Sequence, residues 1–140
     1  MADLVTTQIL SDADKTAILK FTNISDGTGE TNVVKIDVST LNQLGIAGNS
    51  QGTPCNGVII QKITASTYGM GVQMLWEADE NVLAWVVPAN SQYRTKLNEF
   101  GGIQNNSGDG KTGNLLFTTI DASEGDVYAV IVECTKLYGY

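Results

Sequence analysis

Between residues 15 and 138, apolar side chains fall on every second position in run after run, and Gly- or Asn-rich breaks separate the runs. Residues 15–24, KTAILKFTNI, set Ala17, Leu19 and Phe21 against Thr16, Lys20 and Thr22, with Ile18 the one exception. A period of two is the repeat of a strand with one wet face, because successive Cβ atoms point to opposite sides. After the turn SDGTGE the alternation resumes over residues 32–38, with Val34, Ile36 and Val38 expected inward and Lys35 and Asp37 outward. The two runs read as a hairpin. Residues 71–88, GVQMLWEADENVLAWVVP, read as another. There Val72, Met74 and Trp76 share a face, Leu83, Trp85 and Val87 share a face, and EADEN is a solvent-facing turn. Pro88, with no N–H to donate, stops the ladder.

The remaining segments fit the same class. VIIQKITAST, residues 58–67, is β-branched but alternates poorly, so cover on both faces is expected. NLLFTTID (114–121) and VYAVIVECTKLY (127–138) are strands; in the latter Tyr128, Val130, Val132 and Cys134 oppose Ala129, Ile131, Glu133 and Thr135. STLNQLG (39–45) predicts one or two helical turns capped by Ser39 or Thr40. SQYRTKLNEF predicts a short helix or an irregular strand, and ADLVTTQIL an arm that joins a neighbour's sheet or a first edge strand. With no helices interleaved, the fold class is all-β: an antiparallel β-sandwich of seven or eight strands with long Gly/Asn-rich loops, jelly-roll-like windings among the options. Residues 1–140 are expected to form a single domain with short interacting arms at both termini.

Several chemistries lack their residues. The chain has no histidine, which removes Ser-His-Asp and Cys-His nucleophiles and histidine zinc sites. Two cysteines, Cys55 in a Gly/Pro/Asn loop and Cys134 in a strand, cannot supply four thiolates, and a disulfide between them is not expected. The net charge of −7 disfavours nucleic acid and anionic membranes, and the eight Lys and Arg are scattered singly. No apolar run is long enough for a membrane helix and no secretory signal opens the chain. No catalytic residue and no cofactor are assigned. Glu77 and Glu133 are one imaginable pair of opposed acids for a histidine-free glycoside hydrolase. Asp121, Glu124 and Asp126 in DASEGD are weak candidates for a bound cation, although Asx turns explain them equally well. Trp76 and Trp85 would be the ligand platform of a carbohydrate-binding sandwich if exposed; packed inside, they are core.

Function then falls to surfaces. Only 16% of residues are charged, so the exterior is built from neutral polar groups, and interfaces favour aromatics over Lys and Glu. Tyr93, Tyr138 and Tyr140 are the candidate interface residues. The stretches TTQILSDADKTAILKFTN, GVQMLWEAD…AW and GDVYAVIVECTK resemble the small virion structural proteins of tailed bacteriophages. The resemblance spans nearly the whole chain and implies a non-catalytic role: a capsid decoration or cement protein, or a neck or tail component. It also implies partners among copies of itself and a major capsid or other virion protein, and assembly into virions in the host cytoplasm.

Overall fold

The computed structural model describes residues 4–13, 15–41, 44–46, 49–53 and 55–138. Among the described residues there are eleven strands: β1 (Leu4–Asp12), β2 (Thr16–Asp26), β3 (Val33–Ile36), β4 (Leu44–Ile46), β5 (Asn49–Thr53), β6 (Cys55–Tyr68), β7 (Gly71–Trp76), β8 (Val82–Val87), β9 (Gln92–Lys96), β10 (Leu115–Ile120) and β11 (Glu124–Tyr138). They form a five-stranded sheet, β1-β2-β11-β6-β9, a four-stranded sheet, β3-β10-β7-β8, and a two-stranded β4-β5 pair. All pairings are antiparallel. The two larger sheets pack face to face as a sandwich. The count exceeds the expected seven or eight because β4, β5 and β9 arise in stretches whose side chains do not alternate.

The core lies between the sheets. Phe117 of β10 meets Phe21 of β2 edge-on at 5.2 Å and Tyr128 of β11 at 5.8 Å, so a single ring ties the layers together. Around it, Leu19, Val58, Ile60, Ile63, Val130 and Val132 of one sheet face Ile36, Val72, Met74, Trp76 and Leu115 of the other. The pairing is nested: β2 pairs with β11, β3 with β10, β6 with β9 and β7 with β8. The two expected hairpins therefore part company. β7 and β8 do pair, but β2 and β3 lie in different sheets. The turn after β2, with Gly27, Gly29 and Asn32 at positive φ, carries the chain from one layer to the other. Gly69 makes the same passage between β6 and β7 at φ +86, a conformation that residues with a Cβ rarely adopt.

β-Bulges reset the alternation where the simple period fails. On β3 one residue, Lys35, is extra between the pairs Val34–Leu116 and Ile36–Leu115. Its bulge turns Lys35 inward and leaves Val34 exposed, the reverse of the period-two expectation. On β6 the extra residue is Gln61, so Val58 and Ile60 before it, and Ile63 and Ala65 after it, all reach the same core. The poor alternation there reflects a bulge, not cover on both faces. On β8 the extra residue is Ala84: Trp85 and Val87 face the core side, whereas Leu83 projects outward. A single 3₁₀ turn, Val38–Thr40, follows β3 and is capped by Asp37, whose carboxylate accepts the Ser39 N–H, rather than by Ser39 or Thr40. A second, Leu97–Phe100, continues directly from β9, so SQYRTKLNEF holds both a strand and a helical turn.

Candidate functional site

The residues singled out from sequence scatter. Trp76 is fully buried and offers no stacking face to a ligand; its indole N–H meets no acceptor among the described residues. Trp85, one strand over, is half-buried and packs against the core. Both are held there by the β7–β8 register, which sets Met74 opposite Trp85 and Trp76 opposite Val82. Tyr140 lies outside the described residues, as do the side chains of Tyr93 and Tyr138; the Tyr93 backbone pairs with Ala65 and that of Tyr138 with Cys55. Asp121, Glu124 and Asp126 do not converge. Glu124 pairs in register with Asp26, Asp126 accepts the Ser123 N–H at 2.9 Å as a turn acceptor, and Asp121 is exposed at positive φ. Among the described residues no group of three or more Cys, Asp or Glu is placed to hold a metal.

Glu133 lies on β11 of the five-stranded sheet, whereas Glu77 follows the end of β7. Glu77 accepts from Thr112 Oγ1 at 2.7 Å and Asn114 Nδ2 at 3.3 Å, fastening the loop before β10, whereas Glu133 sits outward on β11, 3.9 Å from Lys62 Nζ. They do not oppose one another across a cleft. The cysteines are apart as well: Cys134 stands opposite Ile60 and Cys55 opposite Tyr138, five residues along β6. At about 3.3 Å per residue that exceeds the ~7 Å limit for a disulfide. Both are buried free thiols, and Cys55 opens a strand rather than lying in a loop. Burial pushes the Cys134 thiol up to about 12 and raises that of Cys55, so neither is a thiolate near neutrality.

Two charged clusters lie inside the fold: Lys136 continues the inward phase of Tyr128 to Cys134, whereas alternation reveals neither Glu30 nor Lys35. Glu30, in the turn after β2, is buried; its carboxylate meets Lys35 Nζ at 2.5 Å and accepts from Asn23 Nδ2 at 2.8 Å and from the Tyr128 hydroxyl at 2.6 Å. Lys35 Nζ also stands 6.0 Å from the Phe117 ring centroid. Lys136 is equally deep, donating to Asp12 at 2.6 Å and to the Ala13 carbonyl at 3.0 Å. Each buried charge has its counter-charge and further hydrogen bonds, the condition under which burial is tolerable. These clusters staple the β2–β3 crossing and the start of β2 to the sandwich.

A cleft of about 560 Å³ opens between the first half of β6 and the loop before β10. Asn56, Gln104, Asn105, Lys111 and Thr112 line it over the aliphatic floor of Ile59 and Leu137. Gly113 closes its base: a Cβ there would meet the Asn56 carbonyl oxygen at 2.2 Å. Amides and a hydroxyl can hydrogen-bond a polar ligand, but no carboxylate, thiol or imidazole lines the cleft.

The broad outer faces of the sheets carry the strongest chemical signal. Across the four-stranded sheet, register sets Val34, Leu116, Leu75 and Leu83 in one row, one residue from each strand. Leu116 is 1% exposed in its middle, Val34 is 41% and Leu83 49%. The next outward rows hold Thr118, Gln73 and Val86, then Ile120 and Gly71. None of these residues is charged. Across the five-stranded sheet one row reads Gln8, Lys20, Ile131, Thr64, Arg94, and the next Ser11, Ile18, Glu133, Lys62, Lys96. Half of the eight Lys and Arg of an acidic chain thus gather in two rows with one acid among them. Cations that look single in the sequence form a patch because separate strands contribute them to neighbouring rows. A comparison with protein-family models and with curated proteins gives no match.

Proposed function

We propose that this chain is a non-enzymatic structural subunit of a tailed-phage virion: a decoration or cement protein that stabilises the capsid through protein–protein contacts. The observation that carries the reading is the uncharged aliphatic row Val34–Leu116–Leu75–Leu83, which crosses a whole sheet on the outside of an acidic protein. The open ends of that row, Val34 at 41% and Leu83 at 49% exposed, leave apolar area in water and mark a surface that is covered in the working state. The cationic rows on the opposite side offer a second, chemically different contact, so the subunit can touch two neighbours at once. In this reading the partners are a major capsid or other virion protein and further copies of the chain, assembled in the host cytoplasm.

We also read the sandwich as a jelly roll. Nested pairing of β2 with β11, β3 with β10, β6 with β9 and β7 with β8 is what results when one long antiparallel ribbon is wound into two sheets, with β1 added at one edge. Jelly rolls build viral capsid proteins and also lectins. The amide-lined cleft supports a second reading, a carbohydrate-binding sandwich, with Trp76 too deeply buried to serve as its platform. Quantitative mass spectrometry of density-banded particles from cells that make this chain separates the two. The structural reading expects the chain in the particle band at a fixed ratio to the major capsid protein. Its presence in the lysate with none in the band would refute that reading, and retention on a glycan array would favour the other.

A further inference from the structure

The edge of the five-stranded sheet holds a feature that the virion reading does not use. From Leu4 to Leu10 every residue of β1 is exposed, on both faces. Leu4 is 63% and Ile9 50% exposed. The four-stranded sheet does not reach beneath this strand, and among the described residues only β2 pairs with it, so its outer row of N–H and C=O groups has no strand partner. Edge strands of soluble proteins are usually protected by a lysine, a proline, an inward charge or a mid-strand bulge. Between Leu4 and Ser11 there is no charge and no proline, and the one bulge, at Leu10, comes after the regular stretch.

We propose that β1 joins β1 of a second copy of this chain, antiparallel and edge to edge about a two-fold axis through Thr7, merging two five-stranded sheets into one of ten. The occupant is set by the strand's own order. About Thr7, Val5 falls opposite Ile9, Thr6 opposite Gln8, and Thr7 opposite itself. Apolar meets apolar on the side that the second sheet leaves open, and polar meets polar on the side of Lys20 and Thr22, where Thr6 already hydrogen-bonds Thr22. No other register of these residues matches both faces.

Charge agrees with this choice. Two chains of −7 repel in general, yet the only charge on β1 is Asp12, paired with Lys136. Across the axis the two Asp12 residues lie ten strand steps apart, about 33 Å at 3.3 Å per residue. That is well beyond the Debye length of ~8 Å. The axis also keeps both cationic faces on one side of the joined sheet and both aliphatic faces on the other. The proposal does not depend on the virion reading.

The test uses the full chain. Light scattering over a concentration series should give twice the mass of one chain. Thr7→Lys places two like charges on the axis and should raise the dimer dissociation constant by at least ~10-fold. Thr7→Cys should be trapped as a covalent dimer by mild oxidation, whereas Ile120→Cys, on the other sheet, should not; the native thiols are buried and give little background. Should Thr7→Lys fail to fold, the Thr7→Cys cross-link still decides. A monomer at all concentrations with no Thr7→Cys cross-link overturns the proposal. So does a dimer that survives Thr7→Lys and is not trapped through Thr7→Cys, because the contact then lies elsewhere.

Discussion

On the outside of the five-stranded sheet, Lys20, Lys62, Arg94 and Lys96 share two neighbouring rows with Glu133; on the outside of the four-stranded sheet, the rows hold Val34, Leu116, Leu75, Leu83, Val86 and no charge. The interiors of the same two sheets do not differ in this way. Both bury aliphatic and aromatic side chains against Phe117, and the ionised groups they bury are paired. The contrast therefore is not a by-product of packing. The interior charges hold the fold, while the exterior of each sheet is free to differ, and the difference between the two exteriors is what a partner can read.

The interior half of that contrast should respond most strongly to mutation. Glu30→Ala would strand Lys35 without its counter-charge and leave the Asn23 amide and the Tyr128 hydroxyl without this acceptor. A loss of about 3–5 kcal/mol in denaturant unfolding is expected, the usual cost of breaking a buried pair from one side. A loss below ~1 kcal/mol, the range of an exposed pair, would mean that interior and exterior charges are equivalent, and the contrast would collapse.

Next in size is Leu116→Ala. Leu116 is 1% exposed although it points away from the main core. Chemical denaturation should show about 2 kcal/mol lost, the low end for a buried leucine. Leu83→Asp at the exposed end of the row should change stability little while removing particle binding. Retained binding would exclude this face as the contact.

A further effect belongs to the inner face of the five-stranded sheet. The Cys134 thiol is raised by burial from an ordinary value of 9.0 to about 12. The folded chain therefore keeps its proton where the unfolded chain loses it. This contribution is complete below about pH 9 and fades as pH rises toward 12. Thermal unfolding of the wild type should fall more steeply across that window than that of Cys134→Ala; parallel curves would contradict the burial. The weakest response lies outside. Lys62 and Glu133, 3.9 Å apart and both partly exposed, should contribute no more than ~1 kcal/mol in a double-mutant cycle.

Much of the architecture was legible in the sequence, because a half-buried strand writes its own period. Ala17, Leu19 and Phe21, and Tyr128 to Cys134, sit where alternation places them. What alternation could not carry was any shift of phase. One extra residue at Lys35, Gln61 and Ala84 reverses the facing of the residues after it, and nothing local distinguishes such a residue from a regular one. Strand partnership was equally hidden: the turn SDGTGE has hairpin chemistry but serves a passage between layers. The site suffered most. Glu30 looks like one more acid in a turn, and Lys20, Lys62, Arg94 and Lys96 look isolated, until register joins strands far apart in the chain. Two cues are observable: Lys136 continues the inward phase of Tyr128, Val130, Val132 and Cys134, and Lys35 sits among apolar neighbours, although a period of two places Lys35 outward.

If this protein acts through its outer faces, cryo-electron microscopy of particles from cells making the chain will show it. The sandwich should occupy repeated positions on the particle, with the Val34–Leu83 row against a neighbouring protein and out of contact with solvent. Particles that carry no such density, or that hold the sandwich with this row open to water, would refute a role for the outer faces.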